Sequence, residues 1–240
     1  MIVRDTKHMI LGVVMTLLFA GILLFMFSNF FAGRMDHKVN AFKASDDLFN
    51  SIAKGSTNYF PGLMETNSKF MGHGVDFNLN LKSEALALKS GELLQSAGAR
   101  VEQDGSVLIL QGDLGQILEQ ALVDSRALFN NQNQELYKRY GMQGREVVYV
   151  WWLTLNALEK GLTKAKDFEA AKFVNRVSKR GVEVGYNFYG IPSKSAADKA
   201  GILSFSLIFY VVYTLWWGFA IFFVFEGLGL EMSSGVKKEV

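Results

Sequence analysis

The chain carries three histidines, His8, His37 and His73, and no cysteine. A metal site needs several donors brought to one point, and a helical i, i+4 pair is the simplest way to supply two of them. None of the three histidines has such a partner. His73 with Asp76 comes nearest to a ligand pair, but one His and one Asp in a chain with 23 acidic residues read as turn or surface residues. Lack of cysteine removes disulfides, CxxC redox chemistry, cysteine zinc sites and c-type haem attachment. Gly72-His73-Gly74 lacks the third glycine of a dinucleotide fingerprint and precedes a strand pattern instead of following one. Neither GxxxxGK[ST] nor GxSxG occurs. The expectation is a protein that is not an enzyme, with no catalytic residue, no metal ligand and no cofactor.

Polar groups in apolar surroundings remain. Residues 201–225, GILSFSLIFYVVYTLWWGFAIFFVF, contain no charge and end beside Glu226. Tyr210, Tyr213, Trp216 and Trp217 fall near the middle of this stretch, away from the interfacial belts where such aromatics concentrate. Hydroxyl and indole N–H groups in hydrocarbon need partners. With one other apolar helix in the chain, a neighbouring subunit is the predicted supplier: another membrane protein, a second copy, or a quinone-like molecule. Glu226 is predicted at the headgroup level and completes this set of partner-interface candidates. Trp151 and Trp152 sit in a nearly apolar run and are predicted to be core.

These groups are positioned by two apolar ends. Residues 9–31 form a first span with Thr16, Ser28 and Asn29 as its polar members; about 23 residues at ~1.5 Å each cover a hydrocarbon core of ~30 Å. The run is too long for a signal-peptide core, and its end is a poor cleavage site. Residues 201–226 form the second span, with short tails at 1–8 and 227–240. Half of the 240 residues are hydrophobic and the mean hydropathy is +0.15, the excess lying in the ends. About 168 residues remain between them, enough for one domain with its own core. A net charge of +2 gives no field for nucleic acid.

Within the domain, residues 36–54 read as a helical stalk continuing the first span. Residues 73–82 alternate as a half-buried strand. Ser83 caps a short helix, and Asp104-Gly105 marks a type I′ hairpin turn. From Leu114 the pattern is helical, with Ile117, Leu118, Ala121, Leu122, Leu128 and Phe129 inward and Glu119, Gln120 and Asp124 outward. Glu135 and Arg139 are placed for an i, i+4 pair. Residues 167–188 read as one amphipathic helix, with Lys172, Arg176, Lys179, Arg180 and Glu183 on its polar, mainly basic face. The fold class is therefore a helix-rich α+β protein. Two transmembrane helices at the chain ends flank a soluble domain (32–200) with a small antiparallel sheet followed by a helical bundle.

An even number of spans puts both tails on one side. Arg4, Lys7, Lys237 and Lys238 in the tails nearly balance Arg34, Lys38, Lys43, Lys194 and Lys199 at the loop ends. A large domain crosses largely regardless of charge, and a short basic tail before a long apolar helix behaves as a signal anchor. The domain is expected in the periplasm of a bacterial inner-membrane protein. The C-terminal KKEV resembles a dilysine endoplasmic-reticulum retrieval tail, and a chance basic tail explains it as well. The layout is shared with chain-length regulators of polysaccharide export and with chemoreceptors. The chain lacks the proline-rich second span of the former and the long signalling domain of the latter. The expected role is a non-enzymatic accessory or scaffold subunit of an inner-membrane complex, its partners being the bilayer and other membrane subunits or itself. The alternative is a ligand-binding or sensing module that signals through its membrane helices.

Overall fold

The computed structural model describes residues 4–33 and 37–230. Arg34, Asp36, Lys237 and Lys238, which entered the stalk and charge arguments, lie outside the described residues. The chain forms two compact units, Met1–Ile52 with Lys194–Val240, and Ala53–Ser193.

In the first unit, α1 (Thr6–Phe27) and α10 (Ala200–Gly227) are both long and apolar enough to cross a membrane. Asp5 starts α1, its side chain accepting from the backbone N–H groups of Lys7 and His8 and satisfying two of the orphan donors of the first turn. Ser28 stops it by donating both its N–H and its hydroxyl to the Phe25 carbonyl. A two-residue ladder follows, Phe31–Ala32 (β1) against Lys38–Val39 (β2), and α2 begins only at Ala41, its first turn capped where Asn40 accepts from the Lys43 N–H at 2.8 Å. The helical stalk expected over 36–54 is therefore interrupted: the capping serine and the ladder separate α2 from α1.

In the second unit a three-stranded antiparallel sheet has the order β3 (Gly74–Asn80), β5 (Val107–Asp113), β4 (Arg100–Asp104). Ser83 caps α4 (Glu84–Ser96), as expected. The hairpin turn differs from the expected type I′ turn. Asp104 stays in the ladder opposite Val107, and the loop is Gly105-Ser106 with φ of +57° at Gly105. The glycine one place later takes the left-handed position because it has no Cβ to resist it.

Helices α3 (Phe60–Asn67), α5 (Leu114–Phe129), α6 (Asn133–Tyr140), α7 (Gly144–Lys164), α8 (Phe168–Val177) and α9 (Glu183–Asn187) complete the unit. The inward stripe of α5 is buried as expected. Helix α7 is central, burying Val147, Val148, Trp151, Leu155 and Leu158 and packing on α4, α5, α6, α8 and β3. The helix expected over 167–188 is split by a π-helical turn, Ser178–Val182. Its C-terminal part lies so close to α5 that a Cβ on Gly185 would come within 2.5 Å of the Ser125 carbonyl oxygen.

One further expectation is corrected. Asp124, placed on the outer face of α5 by periodicity, is fully buried. Its carboxylate accepts from Gln120 (3.0 Å) and Arg139 on one oxygen, and from the Tyr140 hydroxyl (2.6 Å) and the Trp151 indole (2.8 Å) on the other. Arg139 thus pairs with Asp124 instead of Glu135, whose carboxylate accepts from Gln132. Burial pushes the Asp124 carboxyl up from its ordinary value, against the pull of these donors. Burial and the adjacent carboxylate push the Tyr140 phenol from 10.0 up to about 12.

Between these two values the folded chain keeps a proton that the unfolded chain releases, so Tyr140 costs stability as pH rises. Full-length protein is expected to lose on the order of 1 kcal/mol more between pH 10 and 12 than a Tyr140→Phe variant, partial exposure screening the rest. Urea unfolding of both proteins across that window measures it.

Candidate functional site

The inner face of α10 repeats at helical spacing through Tyr213, Trp216, Ala220, Val224 and Gly227, and α1 lies against it. The Tyr213 hydroxyl donates to the Phe19 carbonyl at 3.0 Å, and the Trp216 indole donates to the Met15 carbonyl at 3.1 Å. The Phe19 ring stacks on Tyr213 at 4.1 Å and lies 4.6 Å from Trp217. A Cβ on Gly12 would sit 2.5 Å from the Val224 nitrogen, and one on Gly227 would sit 2.6 Å from Met9 backbone. Two small residues thus set the approach of the helices. The prediction that a neighbouring subunit supplies Tyr213 and Trp216 is corrected: α1 of the same chain does so, through carbonyls with a spare lone pair.

Tyr210 and Trp217, one heptad apart, lie at the edge of that face, Trp217 with its ring against Phe19. Tyr210 is 68% exposed and Trp217 40%. Neither the Tyr210 hydroxyl nor the Trp217 indole N–H has a hydrogen-bond acceptor among the described residues. Glu226 ends the hairpin beside His8, whose Nε2 is 3.6 Å from a Glu226 oxygen and whose Nδ1 is 2.7 Å from Asp5. His8 holds the Asp5 carboxyl below the usual carboxylate range. The Arg4 and Asp5 N–H groups donate to the Gly227 carbonyl, so the polar groups of both helix ends meet there.

In the second unit, His73 pairs with Asp167 at 2.8 Å instead of Asp76, whose side chain faces Gln111. Among the described residues no group of three or more His, Cys, Asp or Glu side chains is placed to hold a metal ion. Lys54 is buried without a carboxylate: its ammonium donates to the carbonyls of Ile191 (2.6 Å) and Phe188 (3.2 Å) and lies 4.7 Å over the Phe129 ring. Lys172, Arg176, Lys179 and Arg180 are all exposed. They do not share one continuous helix, the last two lying on the π-turn, and Arg180 stands over the Tyr59 ring at 5.4 Å.

A cavity of about 250 Å³ opens between α7 and α9, lined by Val148, Tyr149, Trp152, Val182, Glu183 and Tyr186 among others. Trp152 is only half-buried, unlike Trp151, and its indole donates to Glu183 at 3.0 Å. The Tyr149 and Trp152 rings are stacked at 6.0 Å. Arg145, exposed one turn before Tyr149, stands over the Tyr186 and Tyr189 rings at 5.4 and 5.5 Å. Sequence reasoning placed both tryptophans in the core. The i, i+3, i+7 row of Tyr149, Trp152 and Asn156 was the available signal that one edge of α7 is not covered. No family model, curated protein or solved structure matches the chain.

Replacing Gly12 by Leu forces side-chain atoms into the Val224 backbone, and overpacking of this kind costs about 1–3 kcal/mol. Gly21 has nothing within 4 Å of a Cβ. Gly12→Leu is expected to lower the thermal midpoint of the full chain in maltoside micelles by about 2–12 °C. Gly21→Leu is expected to leave it unchanged, both read by circular dichroism.

Proposed function

We propose that this chain is a non-enzymatic, two-span accessory or scaffold subunit of an inner-membrane complex. Both termini lie in the cytoplasm, and the folded middle docks on a periplasmic partner. The observation that carries the reading is the contrast along α10 between polar groups that α1 satisfies and polar groups that it does not. Tyr213 and Trp216 are satisfied by α1, whereas the Tyr210 hydroxyl and the Trp217 indole N–H, at the edge of the same face, have no acceptor among the described residues. A hydroxyl without a partner in an apolar medium costs roughly 2–7 kcal/mol relative to water. A helix of another subunit that supplies an acceptor removes that cost and covers the surrounding aromatic face. The second reading, a ligand-binding or sensing module, is favoured by the α7–α9 cavity alone.

Photo-crosslinking separates an assembled face from a lipid-facing one. p-Benzoylphenylalanine at position 210 is expected to capture protein within a heteromeric band on blue-native electrophoresis. The same group at Leu24, 71% exposed on α1, is expected to capture lipid. Lipid adducts alone at 210, with the chain running as a lone monomer, would defeat the assembly reading.

A further inference from the structure

We propose that the α7–α9 cavity binds a small methylated ammonium compound, held by the rings of Tyr149, Trp152 and Tyr186 and by the carboxylate of Glu183. The inference rests on the ligand-binding reading of this cavity and not on assembly through α10.

Glu183 is the acidic residue of the lining. One of its oxygens accepts from the Trp152 indole, a neutral donor, and no cation among the described residues pairs with it. The other oxygen has no donor among them. A half-buried carboxylate without a cation, set among three aromatic rings, makes a concavity of negative potential, because ring faces carry negative quadrupole density. One of the three rings, Tyr186, already shows that preference: with Tyr189, outside the lining, it holds the guanidinium of Arg145. Arg145 itself does not line the cavity.

The lining also selects among cations. A hard metal ion demands several oxygen ligands, and Glu183 is the only acidic residue in the lining. Val148 and Val182 form apolar walls that would strip water from a primary ammonium without replacing its hydrogen bonds. A trimethylammonium group spreads its charge over methyl surfaces. It asks for no hydrogen bonds, packs on valine and π faces alike, and needs one counter-charge. A neutral apolar guest would leave the second Glu183 oxygen dehydrated and unpaired, and an anion would meet repulsion from the same carboxylate. The π-turn matters here, because its extra residue changes the angular phase of the chain just before Glu183.

The test uses the full chain in maltoside micelles, titrated calorimetrically with choline and with 3,3-dimethylbutan-1-ol, its neutral isostere. Choline is expected to bind saturably, with Kd on the order of 1 mM, and the isostere about tenfold more weakly or worse. Glu183→Gln and Tyr149→Leu are each expected to weaken choline about tenfold. Tyr149 is half-exposed, so its variant keeps the test sound if replacing Trp152 harms folding. Glycerophosphocholine binding as tightly as choline assigns the group to a lipid headgroup, and weaker binding assigns it to a free ammonium compound. Either result keeps the site. Equal binding of the isostere, unchanged choline binding by the two variants, or no saturation at concentrations on the order of 100 mM overturns it. The crosslinking result at Tyr210 is unaffected by any of these outcomes.

Discussion

The second unit is organised around one buried charge. Asp124 brings a carboxylate into a site from which water is excluded, and such a group is tolerated only when its lone pairs are filled. Four donors fill them: one from its own helix, two from consecutive residues of α6, and one from Trp151, the largest fully buried side chain among the described residues. Geometry follows from that requirement. Helix α6 is short and mostly polar, and Leu136 is its only buried residue. Its position is fixed chiefly by the hydrogen bonds of Arg139 and Tyr140. Trp151 in turn sets the rotation of α7, and that rotation decides which edge of α7 meets the core and which is left at the cavity.

The pair of α1 and α10, long and apolar enough to cross a membrane, obeys the same rule. Where no water is available, polar groups must be satisfied inside the protein, and helical carbonyls with a spare lone pair are the nearest acceptors. Tyr213 and Trp216 use them, and glycine at positions 12 and 227 permits the approach that brings them within reach. The ends of the hairpin then gather Asp5, His8 and Glu226, each a costly group deeper in an apolar layer. Satisfaction is complete at the centre of the α1-facing stripe of α10 and missing at its edge, at Tyr210 and Trp217. That asymmetry is why this edge, and not the spans as such, suggests a partner.

The α7–α9 cavity depends on both local irregularity and global packing. Without the π-turn the residues from 183 onward would meet α7 at a different angle. Without glycine at 185 the chain could not lie against α5 closely enough to bring Tyr186 beside Tyr149 and Trp152. Its chemistry comes from a carboxylate and three rings, with no cation among the described lining residues.

The apolar ends, the strand over 74–80, the Ser83 cap and the inward stripe of α5 were legible in the sequence. Each depends on residues within a turn or two of one another, and periodicity and capping report such short-range order directly. The interruption between α1 and α2, the π-turn and the one-residue shift of the hairpin turn were not, because competing local arrangements differ by little and packing selects among them. The site was the least legible part. Periodicity put Asp124 outside, since nothing within α5 announces that Tyr140 and Trp151 will meet it, and it put Trp152 inside, since adjacent tryptophans look alike until the helix is rotated. Sequence alone determined that polar side chains lie in an apolar stretch. Only tertiary structure decided which of them are satisfied, because hydrogen-bond partners that lie 201 residues away along the chain, as for Trp216, are chosen by helix packing and not by local pattern.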